Sequence, residues 1–132
     1  MREVLLLGPR GLRLRTDVPQ TGGERRRGLL GAHALSLDEA VLFPRARSVH
    51  TFGMRFEIAV VLLGPDLRVR DVVRLRPGRL LLPRPGTRHV LECAPDVDLR
   101  PGDRLSLDQR GRGASGRYTS RRCPRRRRAP IV

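Results

Sequence analysis

Lysine is missing from this chain: all 28 basic residues are arginine, set against 13 acids, for a net charge of +15. Complete replacement of lysine by arginine, with glycine, proline, leucine and valine abundant, is what a GC-rich genome imposes, so the charge alone does not establish a nucleic-acid function. It keeps its physical consequences, because guanidinium groups pair bidentately with phosphates and carboxylates whatever selected them. Cysteine is scarce as well. Cys93 stands in an apolar run and Cys123 in the C-terminal stretch, which argues against a disulfide between them and for reduced thiols. No run approaches the roughly 18 apolar residues of a membrane span, and the stretch from Val4 to Leu7 is too short for a secretory signal core. The expected location is cytoplasmic. A glycine-rich phosphate loop, a nucleophile elbow and a paired-acid motif are also lacking, so no motif indicates an enzyme class.

What is present is a chain of 132 residues, enough for one core once a polar tail is set aside. A unit of that size buries roughly two-thirds of its unfolded surface and needs neither disulfides nor a structural metal. Val4 to Leu7 and Leu12 to Arg15 flank Gly8-Pro9-Arg10-Gly11, which predicts an opening β-hairpin. Thr21, three residues before Glu24, resembles a capped helix start, with the helix running from Glu24 to Leu30 and stopped by Gly31. A second helical turn is expected at Ser36, where Asp38 and Glu39 fall in the favourable first turn.

The strongest strand signal runs from Val49 to Leu63. At period two, His50, Phe52, Met54, Phe56, Ile58, Val60 and Leu62 share one face, predicting one long central strand with that face in the core and a bend at Gly53. After the turn Gly64-Pro65-Asp66, Leu67, Val69, Val73 and Leu75 alternate with Arg68, Arg70, Arg74 and Arg76, a half-buried strand with a basic solvent face. Shorter strands are expected at His89 to Cys93 and around Leu105 and Leu107. The pattern predicts a mainly β fold: a small antiparallel β-barrel or sandwich with one or two short helices near residues 22–40, plus a disordered C-terminal tail. Residues 1–109 are read as a single β-rich domain and 110–132 as a disordered arginine-rich tail. That tail carries nine arginines and no acid in 23 residues, and such a composition cannot offset its ordering entropy.

Several of these pieces together resemble a known family. Glu24-Arg25-Arg26-Arg27-Gly28-Leu29-Leu30-Gly31, Leu42-Phe43-Pro44, Val49-His50-Thr51-Phe52-Gly53-Met54-Arg55-Phe56, Val90-Leu91-Glu92 and Pro101-Gly102-Asp103-Arg104-Leu105 are similar to the domain-of-unknown-function family 192, also called uncharacterised protein family 0127. The resemblance runs from about Thr21 to Leu107. It implies a compact, mainly β domain with a short helix, and no particular activity, since the family has no established one. The sequence departs from the family pattern at Glu57 and Ala59, where members carry Pro and Asp, and at Leu30, where they carry Met. An acid with a chemical role in relatives would be absent here or moved to Glu57, which counts against catalysis.

The chemistry-bearing residues are few. His33, His50 and His89 show no metal-ligand spacing; His50, on the apolar face of the predicted long strand, reads as a core histidine. His89 and Cys93 share a strand face but lie about 13 Å apart in extended chain, so a Cys/His or zinc site would need His50, His89 and Cys93 to converge across strands. Otherwise Cys93 is a small buried hydrophobe. No metal and no cofactor is expected. Arg55 and Glu57, two apart on one face, form an exposed ion pair or, with His50 and Thr51, line a groove in which Arg55 takes a carboxylate or phosphate. The leading expectation is a small non-enzymatic binding domain, with His50, Thr51, Arg55 and Glu57 receiving a small ligand or a protein partner. An alternative is an accessory factor that meets nucleic acid non-specifically through Arg121, Arg122, Arg125, Arg126, Arg127 and Arg128. A hydrolase-like enzyme built on His50 with Cys93 or Glu57 ranks below both.

Overall fold

The computed structural model describes residues 2–27 and 35–108. The arginine-rich tail, His33, Leu29 and Leu30 lie outside the described residues. The chain forms β1 (Arg2–Leu7), β2 (Arg13–Val18), α1 (Gly22–Arg27), β3 (Glu39–Phe43), β4 (Val49–His50), β5 (Ile58–Leu63), β6 (Val69–Leu75), β7 (Leu80–Leu81), β8 (His89–Cys93) and β9 (Ser106–Leu107). Seven strands make one sheet in the order β6-β5-β8-β3-β2-β1-β9, and β4 with β7 makes a separate two-stranded sheet.

The ends of the large sheet are drawn together. Val69 N–H donates to the Asp103 carbonyl at 2.7 Å, Gly102 N–H to the Val69 carbonyl at 2.8 Å and Leu105 N–H to the Leu67 carbonyl at 3.0 Å. The same segment continues into β9, which pairs with β1 through Leu6 and Leu107. The sheet therefore curls into an incompletely closed barrel, the mainly β architecture that the alternating strand pattern predicts. Its interior is filled by Leu6, Leu14, Leu42, Val61, Leu63, Leu91 and their neighbours. A second apolar cluster lies on the other face of the central strands, built on Val41, Ile58, Val60, Leu62 and Val90 and covered by Val49 and Leu81 of the small sheet. β5 and β8 are buried on both faces, and β5 accordingly reads as an unbroken apolar run, whereas β8 carries His89 and Glu92 among its apolar residues.

The opening hairpin forms as read, with Leu6 opposite Leu14 and Leu7 opposite Arg13. The helix start is capped as expected: Glu24 N–H donates to Thr21 Oγ1 at 3.1 Å and the Glu24 carboxylate accepts from Gln20 N–H at 2.7 Å. Four expectations change. The predicted strand from Val49 to Leu63 is two strands, because Met54 N–H turns back to the Thr51 carbonyl and Gly53 sits at φ 84, which removes residues 51–57 from any ladder. Phe52 is consequently exposed, and so is His50, which is not a core histidine. In β6 a bulge opposite Leu62/Leu63 inserts one residue, so Leu67 and Val69 face the barrel interior while Val73 and Leu75 join the outer cluster. At Ser36 there is one turn, with Glu39 N–H bonded to the Ser36 carbonyl, that leads directly into β3. Finally, β2 and β3 are parallel; parallel neighbours require a crossover, and residues 19–38 supply it.

Candidate functional site

The small β4–β7 sheet and its loops bring together most of the residues that sequence alone marks as candidates. His50 lies opposite Leu80, and Val49 opposite Leu81. Val49 and Leu81 point down onto the outer cluster, so by alternation His50 and Leu80 face away from it. The His50 ring stacks on Phe52, with centroids 5.0 Å apart and planes at 20°. Phe52 is 53% exposed, Leu80 57% and Leu82 64%, so three of the four exposed large hydrophobic residues among those described lie on this layer.

Thr51 holds this layer in place. It is fully buried, its Oγ1 donates to the Arg76 carbonyl at 2.6 Å and accepts from Arg79 N–H at 2.8 Å. Its backbone N–H donates to the Arg79 carbonyl, and its carbonyl accepts from Gly78. Segments 45–57 and 76–88 are thereby clasped at one end. At the other end His89, 3% exposed, accepts a hydrogen bond at Nδ1 from Arg45 N–H at 3.0 Å. Burial, followed by the nearby Arg88 and Arg45 charges, lowers the His89 pKa and keeps the ring neutral for that bond. Of the four candidate ligand residues, His50, Arg55 and Glu57 are exposed along this layer, whereas the Thr51 hydroxyl is committed to the clasp.

Charge is unevenly spread. Residues 45–57 and 76–88 contain seven arginines (45, 47, 55, 76, 79, 84 and 88) and one acid, Glu57; the rest of residues 1–109 contains twelve arginines and twelve acids. All seven arginines are exposed. Asp71 on β6 pairs with Arg84, which leaves six arginines against Glu57, an excess of five positive charges. By contrast, the basic stripe expected on β6 is partly neutralised, with Arg68 near Asp66 at 3.8 Å and Arg74 near Asp96 at 3.6 Å.

His50, His89 and Cys93 do not converge. His50 is exposed on the small sheet, while His89 and Cys93 are buried in β8, and no cluster of three metal-ligating side chains occurs among the described residues. The Cys93 thiol is pushed up to about 12, first by burial and then by the Glu92 charge, so it stays protonated and is a poor nucleophile.

In the sequence Glu92 stands only as part of Val90-Leu91-Glu92, with no role assigned to it. It lies between Val41 and Val60 on the face of the outer cluster, 7% exposed. Burial alone raises its carboxyl to about 7, and no partner for it occurs among the described residues. An acid inside the apolar run from Val90 to Cys93 is the signal that could have found it. Leu80-Leu81-Leu82 stands in the sequence as a short apolar piece between Pro77-Gly78 and Pro83, and alternation along it buries Leu81 while Leu80 and Leu82 stay in solvent.

No helix among the described residues is long and apolar enough to cross a membrane. Comparison with solved structures gives two similar chains. One is a protein of unknown function from Novosphingobium aromaticivorans DSM 12444, 22% identical, covering 79% of this chain and 83% of that one with a TM-score of 0.67. The other, from Sinorhizobium meliloti 1021, is described as a "putative transcription regulator"; it is 20% identical and covers 80% of this chain and 92% of that one, with a TM-score of 0.66. At these identities the likeness establishes the fold alone. No curated protein matches. The sequence model of DUF192, described as an uncharacterized ACR, matches residues 6–107, and the chain belongs to that family.

Proposed function

We propose that this protein is a non-enzymatic docking domain whose β4–β7 layer receives a partner of negative charge. The observation that carries the reading is the distribution of charge: the net positive charge of residues 1–109 resides in segments 45–57 and 76–88, around an exposed apolar strip, while the remainder balances. A codon bias toward arginine acts on the whole chain. It does not explain why, within residues 1–109, acids balance the arginines outside these two segments and not inside them. Exposed apolar residues ringed by one sign of charge are the usual composition of an interaction surface.

The test compares two full-length variants with equal charge loss. One carries Arg47→Ser, Arg76→Ser and Arg79→Ser on the layer, and the other Arg13→Ser, Arg74→Ser and Arg100→Ser elsewhere. On immobilised heparin the layer variant should elute at clearly lower salt than the control. Coincident elution would remove the docking reading and leave the tail arginines, Arg121, Arg122 and Arg125 to Arg128, as the remaining seat of polyanion affinity.

A further inference from the structure

We infer that the β4–β7 layer takes single-stranded nucleic acid, with phosphates on its arginines and an unpaired base on the Phe52 ring; the inference rests on the docking reading above. Three occupants are disfavoured by charge or geometry. A second copy of this chain would oppose like charges, and so would the chain's own tail with its nine arginines. Duplex nucleic acid presents phosphates but keeps its base faces stacked inside, leaving the aromatic ring without a counterpart.

The pattern along the two clasped segments fits a single strand. On one segment the ring-bearing pair His50 and Phe52 is flanked by Arg47 and Arg55, and on the other the exposed Leu80 and Leu82 are flanked by Arg76, Arg79 and Arg84. A strand of nucleotides carries both unpaired base faces and phosphates, and sequence-tolerant single-strand sites combine a basic track with aromatic platforms. Phe52 is already backed by the His50 ring at 5.0 Å, and the Thr51 clasp fixes the turn that carries it. The platform is therefore held in place before a base arrives, which lowers the ordering cost of binding. Lipid insertion fits less well, because the Phe52 ring is paired flat against the His50 ring and only Leu80 and Leu82 would remain to enter the apolar layer.

The test titrates the full-length chain with fluorescein-labelled single-stranded RNA and DNA of about ten nucleotides, and with a duplex of the same sequence, following anisotropy at several salt concentrations. Phe52→Leu, which keeps an apolar side chain at an exposed turn, should weaken single-strand binding by roughly five- to a hundredfold and leave duplex binding, which the tail supports, unchanged. The Arg47, Arg76 and Arg79 triple variant should lower the slope of log affinity against log salt by about 2 for single strands. Equal losses for RNA and DNA identify a base-and-phosphate site; a loss confined to RNA adds a contact to the ribose hydroxyl. Single-strand affinity that Phe52→Leu and His50→Ala both leave intact would overturn the inference. If heparin elution still separates the layer variant from its control, the docking reading survives and an acidic protein becomes the occupant. Tighter binding to phosphatidylglycerol vesicles than to single strands, lost with Leu80→Ser and Leu82→Ser, would likewise overturn it in favour of a lipid surface.

Discussion

Glu92 and Thr51 are both buried polar residues, and they act in opposite directions. Glu92 has its carboxyl raised from the ordinary 4.5 to about 7 by burial. Its ionised form is therefore disfavoured in the fold, and stability falls as the pH rises from the unfolded value through the folded one. Glu92→Gln should remove that dependence: denaturation at pH 5 and pH 8 should differ by about 3 kcal/mol less in the variant than in the parent. Identical pH dependence in the two proteins would show that Glu92 is solvated or paired. Thr51 is satisfied on every side, so removing its hydroxyl leaves the Arg76 carbonyl and Arg79 N–H without their partner. Thr51→Val should cost about 2 kcal/mol, measured by urea denaturation, and Thr51→Ser should recover most of it.

At the scale of elements, the opening hairpin and the turn at Gly64 are legible because local chemistry decides them: Gly-Pro and Pro-Asp dipeptides between apolar runs leave few alternatives. The central strand is misread for a physical reason. Period-two alternation from His50 to Leu62 is real, but Thr51 is held by residues 76–79 through both its backbone and its hydroxyl, and nothing local announces a clasp 25 residues away. The candidate site is legible in part. His50, Arg55 and Glu57 lie along the layer that stands out in charge, whereas Leu80 and Leu82 become site residues only once β7 pairs with β4. One turn in this layer is strained for any residue but glycine by its backbone, and the nearest atoms to an added Cβ belong to the exposed Arg70 side chain. Gly86 sits at φ 85, and a Cβ there would lie 2.5 Å from Arg70 Nη2. Gly86→Ala should therefore destabilise by more than about 1 kcal/mol in thermal or chemical melts, while Gly78→Ala, in open space at a similar φ of 79, isolates the backbone part of that cost.

For the whole molecule, closure of the sheet rests on its shortest ladder. β9 contributes two residues, paired to Leu6 and Leu7, and Asp108 N–H reaches the Leu5 carbonyl at 3.0 Å. The chain leaving β9 thus runs antiparallel along β1 toward the end at which β1 begins. A force applied between residues 2 and 108 would load this seam as a zipper, one hydrogen bond at a time, in place of shearing the whole ladder at once. Tension from the C-terminal side should peel β9 first, then free Leu105 from the interior and part the bonds to Leu67 and Val69. In single-molecule pulling, the barrel held at residues 2 and 108 should yield at markedly lower force than the same barrel held at residues 13 and 75. A molecule that resists urea as a unit would then be easily drawn apart by any machine that grips it at its last strand.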